Sequence, residues 1–220
     1  MTVTLTYRDA VAVLEIGDDE NRFSPTWLDE MDSALDRVVA GEPTALVTVG
    51  TGKFFSNGLD LEWLTANPDQ WLPYAARVQR LLARVLTLPV PTIAAVNGHA
   101  FGAGAMLAIA HDFRVMRADR GFLCFPEVDI RIPFTPGMSA LILAKTTPQT
   151  AVAAMTTGRR YGGPGALTAG LVDMTAAEPD LLDAAVAAVL PLVGKDPATL
   201  GTIKSTMYAS AATGLAGSAA

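Results

Sequence analysis

Hydrophobic positions recur along this chain at two spacings, and the two kinds of run alternate. Thr2 to Tyr7 and Val11 to Ile16 are short β-rich runs separated by Arg8-Asp9-Ala10, which predicts a hairpin. Ser24 is a good helix N-cap and Pro25 suits a first helical position. Trp27, Leu28, Met31, Leu35 and Val38 then recur at helical spacing through Ala40, and Gly41 ends the pattern. Ala45 to Val49 predicts a buried strand, followed by a glycine-containing loop, TGKFFSNGLDLEW. Asn67-Pro68 opens a second helix with Trp71, Tyr74, Ala75, Val78, Leu81, Leu82 and Val85 on one face and Arg77, Arg80 and Arg84 off it.

Thr92 to Val96 predicts another strand, Asn97-Gly98 a turn, and GHAFGAGAMLAIAHD a segment that starts irregular and becomes helical. Phe113 to Met116 and Phe122 to Phe125 predict strands. After Pro136 the pattern is helical, with a break at YGGPGA, a short strand at Leu171 to Met174, helices near Leu181 to Leu192 and Ala198 to Ala209, and a frayed tail, GLAGSAA. Strands alternating with helices imply an α/β fold with a largely parallel sheet. No internal repeat and no linker interrupts it before the tail.

Composition narrows the function classes. The chain has 220 residues, 50% of them hydrophobic and 17% charged, which suits one compact domain with a large core. The net charge of −6 and the scattered Arg and Lys argue against nucleic acid or an anionic membrane as partner. The most apolar stretches, Thr92 to Ala110 and Leu181 to Val193, are broken by Asn97, His99, Asp183 or Pro191, short of the ~18 uninterrupted residues of a membrane span. The start, MTVTLTYRDA, lacks the basic and apolar regions of a secretory signal. Cys124 stands alone, so no internal disulfide forms, in keeping with a reducing compartment.

Several chemistries fail on spacing. Gly98, Gly102 and Gly104 follow a predicted strand, but a G-x-G-x-x-G match from Gly102 puts Leu107 at the third glycine. The Walker pattern is absent. Gly137-Met138-Ser139 lacks the second glycine of a nucleophile elbow. His99 and His111 are the only histidines and stand 12 apart, too far to share a metal from one helix face, so no metal site is expected.

Glu127 is more informative. It lies in the apolar segment GFLCFPEVDI, where desolvation raises a carboxyl pKa toward the range useful for proton transfer. A buried salt bridge with Arg131 is the alternative. The loops around Gly58-Leu59 and Gly102-Ala103-Gly104 either present free backbone N–H groups, as an oxyanion site requires, or reflect tight backbone packing.

Three segments in order, FFSNGLDL, PTIAAVNGHAFGAGAMLAIAHDFRVM and RGFLCFPEVDI, with the later ALTAGLVD, resemble the enoyl-CoA hydratase/isomerase (crotonase) superfamily over nearly the whole chain. The resemblance implies a crotonase-like spiral of ββα units with a C-terminal helical region: a core over residues 1–195, then a C-terminal helix and flexible tail over 196–220. It implies an acyl-CoA thioester partner whose carbonyl oxygen meets the N–H groups of Leu59 and Ala103, the latter replacing a common glycine. Ser56, Asn57, Gly58, Asp60, Leu61, Gly102 and Gly104 would then form the CoA-binding loops, with Asp60 serving loop structure more than catalysis.

Hydratases of this superfamily use two glutamates about a water. Here Met106 takes the first position and Glu127 the second. The pattern is therefore similar to Δ3-Δ2-enoyl-CoA isomerases of the plant and peroxisomal type, acting in fatty-acid metabolism by proton transfer at Glu127 with no metal or redox cofactor. Hydration on the same scaffold and a silent acyl-CoA binder are the alternatives. The stripe from Trp71 to Val85 reads as core, with an acyl-pocket wall as alternative. Arg77, Arg80 and Arg84 read as solvated surface, with CoA phosphates as alternative. The resemblance implies a homo-oligomer, a trimer or pair of trimers, and the ending GSAA in place of a peroxisomal tripeptide suggests a cytoplasmic location.

Overall fold

The computed structural model describes residues 3–42 and 44–217. Thr2, expected to open the first strand, and the last three residues of the tail lie outside the described residues. Strands β1 (Thr4–Arg8) and β2 (Val11–Glu15) form the expected antiparallel hairpin. Helix α1 (Pro25–Ala40) begins on Ser24, whose side chain accepts from Trp27 N, and stops at Gly41. Next come β3 (Ala45–Val49), β4 (Phe54–Ser56), α2 (Leu61–Ala66) and α3 (Trp71–Leu86). They are followed by β5 (Thr92–Val96), β6 (His99–Phe101), α4 (Ala103–Ala110), β7 (Phe113–Arg117), β8 (Leu123–Cys124) and α5 (Glu127–Ile130). The remainder is α6 (Pro136–Lys145), α7 (Pro148–Thr157), α8 (Gly163–Thr168), β9 (Met174–Ala176), α9 (Leu181–Val189), α10 (Pro197–Met207) and α11 (Ala209–Gly217).

The connectivity is a spiral. Each of three turns places one strand in a six-stranded sheet, ordered β1-β2-β3-β5-β7-β9, then one in a three-stranded sheet, ordered β4-β6-β8, and then a helix. Apart from the β1–β2 hairpin, every pairing of the named strands is parallel. Parallel strands buried on both faces read as continuous apolar runs, as in β3 and β5. Alternate side chains feed two cores: Ala12 and Leu14 pack in the main cluster with α1, α3 and α4, while Val11 and Val13 meet α9 through Leu181, Ala185 and Val189. Helix α4 runs through the main core with all eight residues buried, which its small side chains permit.

Four local expectations are corrected. The loop after β3 contains a strand and a helix, because Phe54–Ser56 pairs with β6 although three residues are too few to show a period. The last strand spans Met174–Ala176 instead of Leu171 to Met174: the N–H groups of Leu171 and Val172 turn back to Ala166 O and close α8. The segment from Gly214 is not frayed through Gly217. It forms the end of α11 and buries Ala211 and Leu215 against α6, where Gly137 meets Gly214 so closely that a Cβ on Gly137 would lie 2.5 Å from Gly214 C. Arg77 and Arg84 are not free on the surface, because they pair with Asp29 and with Asp32 and Asp36 of α1. Among the described residues no helix is long and apolar enough to cross a membrane.

Candidate active site

The small sheet positions the chemistry. Its three strands are parallel neighbours, with Ser56 in register with Ala100 and Phe101 with Cys124, so the turns leaving them emerge side by side. Those turns carry Leu59, then Gly102 and Ala103, then Glu127. All four line one cavity of about 460 Å³.

The first turn is held by its own hydrogen bonds. Ser56 Oγ donates to Asn21 O (2.7 Å) and accepts from Gly58 N (3.1 Å). Asn57 N donates to Glu20 O, Asp60 N to Tyr74 Oη, and Leu61 N to Leu59 O. From Asn57 to Leu61 the Leu59 N–H alone has no acceptor among the described residues. In the second turn Gly102 N is bonded to Cys124 O, whereas Ala103 N opens α4 with no acceptor among the described residues.

The two free amides are brought together by glycine. Gly58 has φ +78°, and a Cβ there would lie 2.7 Å from Phe101 O and 2.9 Å from Ala103 N. Gly104 packs on Ser56, where a Cβ would lie 2.3 Å from Ser56 O. Tight packing and free amides, posed as alternatives, are thus one device: the missing side chains let the Leu59 and Ala103 turns touch.

Glu127 stands beside this pair. A Cβ on Gly102 would lie 3.4 Å from Glu127 Oε1. The residue is 7% exposed, and its Oε2 is buried with no hydrogen-bond partner. No salt bridge to Arg131 forms; Arg131 ends the single turn of α5 in a left-handed conformation, φ 58°. Burial pushes the Glu127 carboxyl up to about 7, only partly offset by a backbone hydrogen bond.

Asn57, Leu59, Leu61, Gly102, Ala103 and Glu127 therefore face the cavity. Ser56, Gly58, Asp60 and Gly104 are placed behind it, building the loops. Asp60 caps α2 by accepting from Trp63 N (3.0 Å). Met106, at the first glutamate position of the hydratases, lines the cavity. The helical stripe divides: Tyr74, Val78, Leu81, Leu82 and Val85 are core, whereas Trp71 and Ala75 reach the cavity. The core assignment holds for five of the seven residues and the pocket for Trp71 and Ala75.

His111 and Cys124 are both disarmed. His111 is fully buried, shares hydrogen bonds with Leu107 O and Thr48 Oγ1 (both 2.8 Å), and is pushed by burial down to about 4. Cys124 touches the cavity, but its thiol donates to Gly158 O and burial pushes it up to about 11. Among the described residues no group of three or more His, Cys, Asp or Glu is placed to hold a metal.

Sequence reasoning placed Tyr74 only in the apolar stripe and missed Gln79 and Thr135. Tyr74 Oη donates to Phe23 O (2.8 Å) and accepts from Asp60 N, anchoring the Leu59 turn to α3. Gln79 and Thr135 both line the cavity, yet Gln79 stood off the apolar stripe and gave no periodic signal.

Two unoccupied amides facing a buried carboxylate, carried by adjacent turns of a ββα spiral, define a crotonase-fold protein. The chain belongs to the enoyl-CoA hydratase/isomerase family, whose model matches residues 6–218. It is 40% identical over 146 residues to peroxisomal enoyl-CoA delta isomerase 1 of Arabidopsis thaliana, an alignment covering 64% of this chain and 61% of that relative. It is 32% identical over 213 residues to a probable enoyl-CoA hydratase of Bacillus subtilis, covering 94% and 81%. Among solved structures, an enoyl-CoA isomerase of Mycobacterium tuberculosis superposes with a TM-score of 0.88 at 26% identity, covering 99% of this chain and 95% of that one.

Proposed function

We propose that the protein is a Δ3-Δ2-enoyl-CoA isomerase in which Glu127 moves one proton along the acyl chain. The observation that carries this is the state of Glu127, a buried carboxylate with an unpartnered oxygen beside two amides that have no acceptor. The ionised carboxylate removes a proton from C2 of a 3-enoyl thioester, and the electron pair moves into the carbonyl. The dienolate oxygen accepts hydrogen bonds from Leu59 N–H and Ala103 N–H. Protonated Glu127 then returns its proton to C4, leaving the double bond between C2 and C3, with no net gain or loss of protons or electrons. A carboxyl titrating at about 7 serves both steps, since both of its forms are accessible near neutrality.

One feature favours isomerisation over hydration. Met106 cannot hold or activate a water at the position where hydratases place their first glutamate, and an isomerase needs no water at all. The reaction requires no metal or redox cofactor, and the CoA moiety is part of the substrate. Purified protein given 3-hexenoyl-CoA and, separately, crotonyl-CoA is expected to isomerise the first faster than it hydrates the second. Faster hydration overturns the reading in favour of a hydratase, and binding of both without turnover makes the protein a silent acyl-CoA binder.

A further inference from the structure

The cavity is walled largely by apolar side chains, among them Trp71, Leu72, Met106, Ile132 and Met138, yet it also holds a buried amide and a hydroxyl. Gln79 is 0% exposed to solvent, and Thr135 lies at the start of α6. Thr135 Oγ1 donates to Gln79 Oε1 (2.6 Å), and Gln79 Nε2 donates to Ala75 O (3.3 Å). The orientation of the amide follows from these partners: a flip would set Gln79 Oε1 against the Ala75 carbonyl, two acceptors facing each other. Thr135 Oγ1 also accepts from Met138 N (3.2 Å), which leaves its own proton for Gln79.

The inventory of donors and acceptors does not close. A glutamine amide has two N–H donors, and only one of those on Gln79 has an acceptor among the described residues. A threonine hydroxyl can accept twice, and Thr135 accepts once. The cavity wall thus keeps one spare donor and one spare acceptor on two side chains already bonded to each other. A hydrocarbon chain meets neither need and leaves the buried donor unsatisfied. An alcohol meets both, since it accepts from an N–H and donates to an oxygen.

We propose that Gln79 and Thr135 form a specificity subsite for an acyl chain carrying a hydroxyl group beyond the reacting carbons. The proposal rests on the acyl chain of a CoA thioester entering this cavity, as in the function proposed above. It names the class of substrate: hydroxylated 3-enoyl thioesters in preference to plain alkyl ones. Trp71, Leu72, Ile132 and Met138 of the same wall are apolar, so the chain leading to the hydroxyl remains hydrocarbon.

The test separates the subsite from the isomerase chemistry by measuring binding as well as turnover. Saturated, unreactive hexanoyl-, octanoyl- and decanoyl-CoA are compared by calorimetry with their ω-hydroxy counterparts, and the matching 3-enoyl thioesters are compared by kcat/KM. At one chain length the hydroxyl is expected to tighten binding about tenfold, the worth of one net neutral hydrogen bond, and to raise kcat/KM where turnover occurs. Gln79→Met is expected to collapse that ratio to one or below. Thr135→Val is expected to reduce it, and Thr135→Ser to restore it. A purely structural tie between α3 and α6 would change stability in these variants without changing the ratio.

Tighter binding of the alkyl ester at every length in the wild-type protein overturns the subsite, and so does a ratio that Gln79→Met leaves unaltered. The wild-type comparison decides even if a variant fails to fold. Hydroxyl-selective binding without isomerisation would leave the subsite standing and remove the isomerase reading. Isomerisation without hydroxyl selectivity would do the reverse.

Discussion

Two carboxylates, Asp112 partly buried and Glu127 buried, stand in this fold in opposite states. Asp112, at the entry to β7, accepts from Thr92 N (2.8 Å) and from Lys204 Nζ (2.5 Å), and Lys204 also donates to Val90 O (2.7 Å). Glu127 keeps a buried oxygen without any partner. The first arrangement fastens α10 to the start of the large sheet, because each charge is satisfied only when the helix is docked. The second leaves a charge poorly solvated, and folding retains it only at a cost met by the rest of the core. A missing partner is not by itself the mark of function, since Arg114 Nε, His99 Nδ1 and Asn21 Oδ1 are also buried without one. None of those three residues lines the cavity, whereas Glu127 lines it beside two free amides. The contrast teaches that a polar group held for stability is closed by the protein, and one held for chemistry is left for a substrate to close.

The largest expected effect breaks the contrast at Glu127. Glu127→Gln keeps the shape and removes the base, so turnover of a 3-enoyl-CoA is expected to fall by about 10²–10⁴-fold while the protein still unfolds cooperatively. A steady-state assay showing wild-type activity in that variant would take Glu127 out of its role. At the other carboxylate the expected loss is one of stability. Lys204→Met leaves Asp112 without its cation and should cost about 2 kcal/mol in urea unfolding, with turnover per folded molecule retained. Equal effects of the two substitutions on turnover would erase the distinction between the regions.

A more gradual effect sharpens the comparison through pH. The Glu127 carboxyl is raised from 4.5 to about 7, so the folded state holds a proton that the unfolded chain has already released. Stability from this group is therefore present below pH 4.5 and is lost as pH rises to about 7, by at most about 1.4 kcal/mol per unit. Activity should run the other way, with kcat/KM climbing as the base ionises and levelling off above about 7. Urea midpoints of wild type and Glu127→Gln across that window should diverge as pH rises. Parallel lines would mean that the carboxyl titrates normally.

How much of this was legible before the structure depended on the range of the interaction. The helix from Pro25 to Ala40 and the strands Ala45–Val49 and Thr92–Val96 follow from local capping and apolar runs, and the structure places them at those residues. The three-residue strands of the small sheet carry no period of their own and exist because each lies between neighbours from other turns of the spiral. Glu127 stood out because a carboxylate in an apolar segment is chemically conspicuous. Gln79 did not, because an uncharged polar residue on an amphipathic helix looks like its solvent face until the fold buries it.

The sequence alone determined the alternation of strands and helices, the glycines that allow two turns to meet, and the family resemblance through its three segments, because these are local backbone and side-chain properties. Only the tertiary structure decided which amides are left without acceptors, which carboxylate is left without a partner, and that Gln79 and Thr135 share a cavity with Glu127. The physical reason is that a hydrogen-bond vacancy belongs to no single residue. It exists only when every neighbour, brought from distant parts of the chain, has been placed and found already engaged.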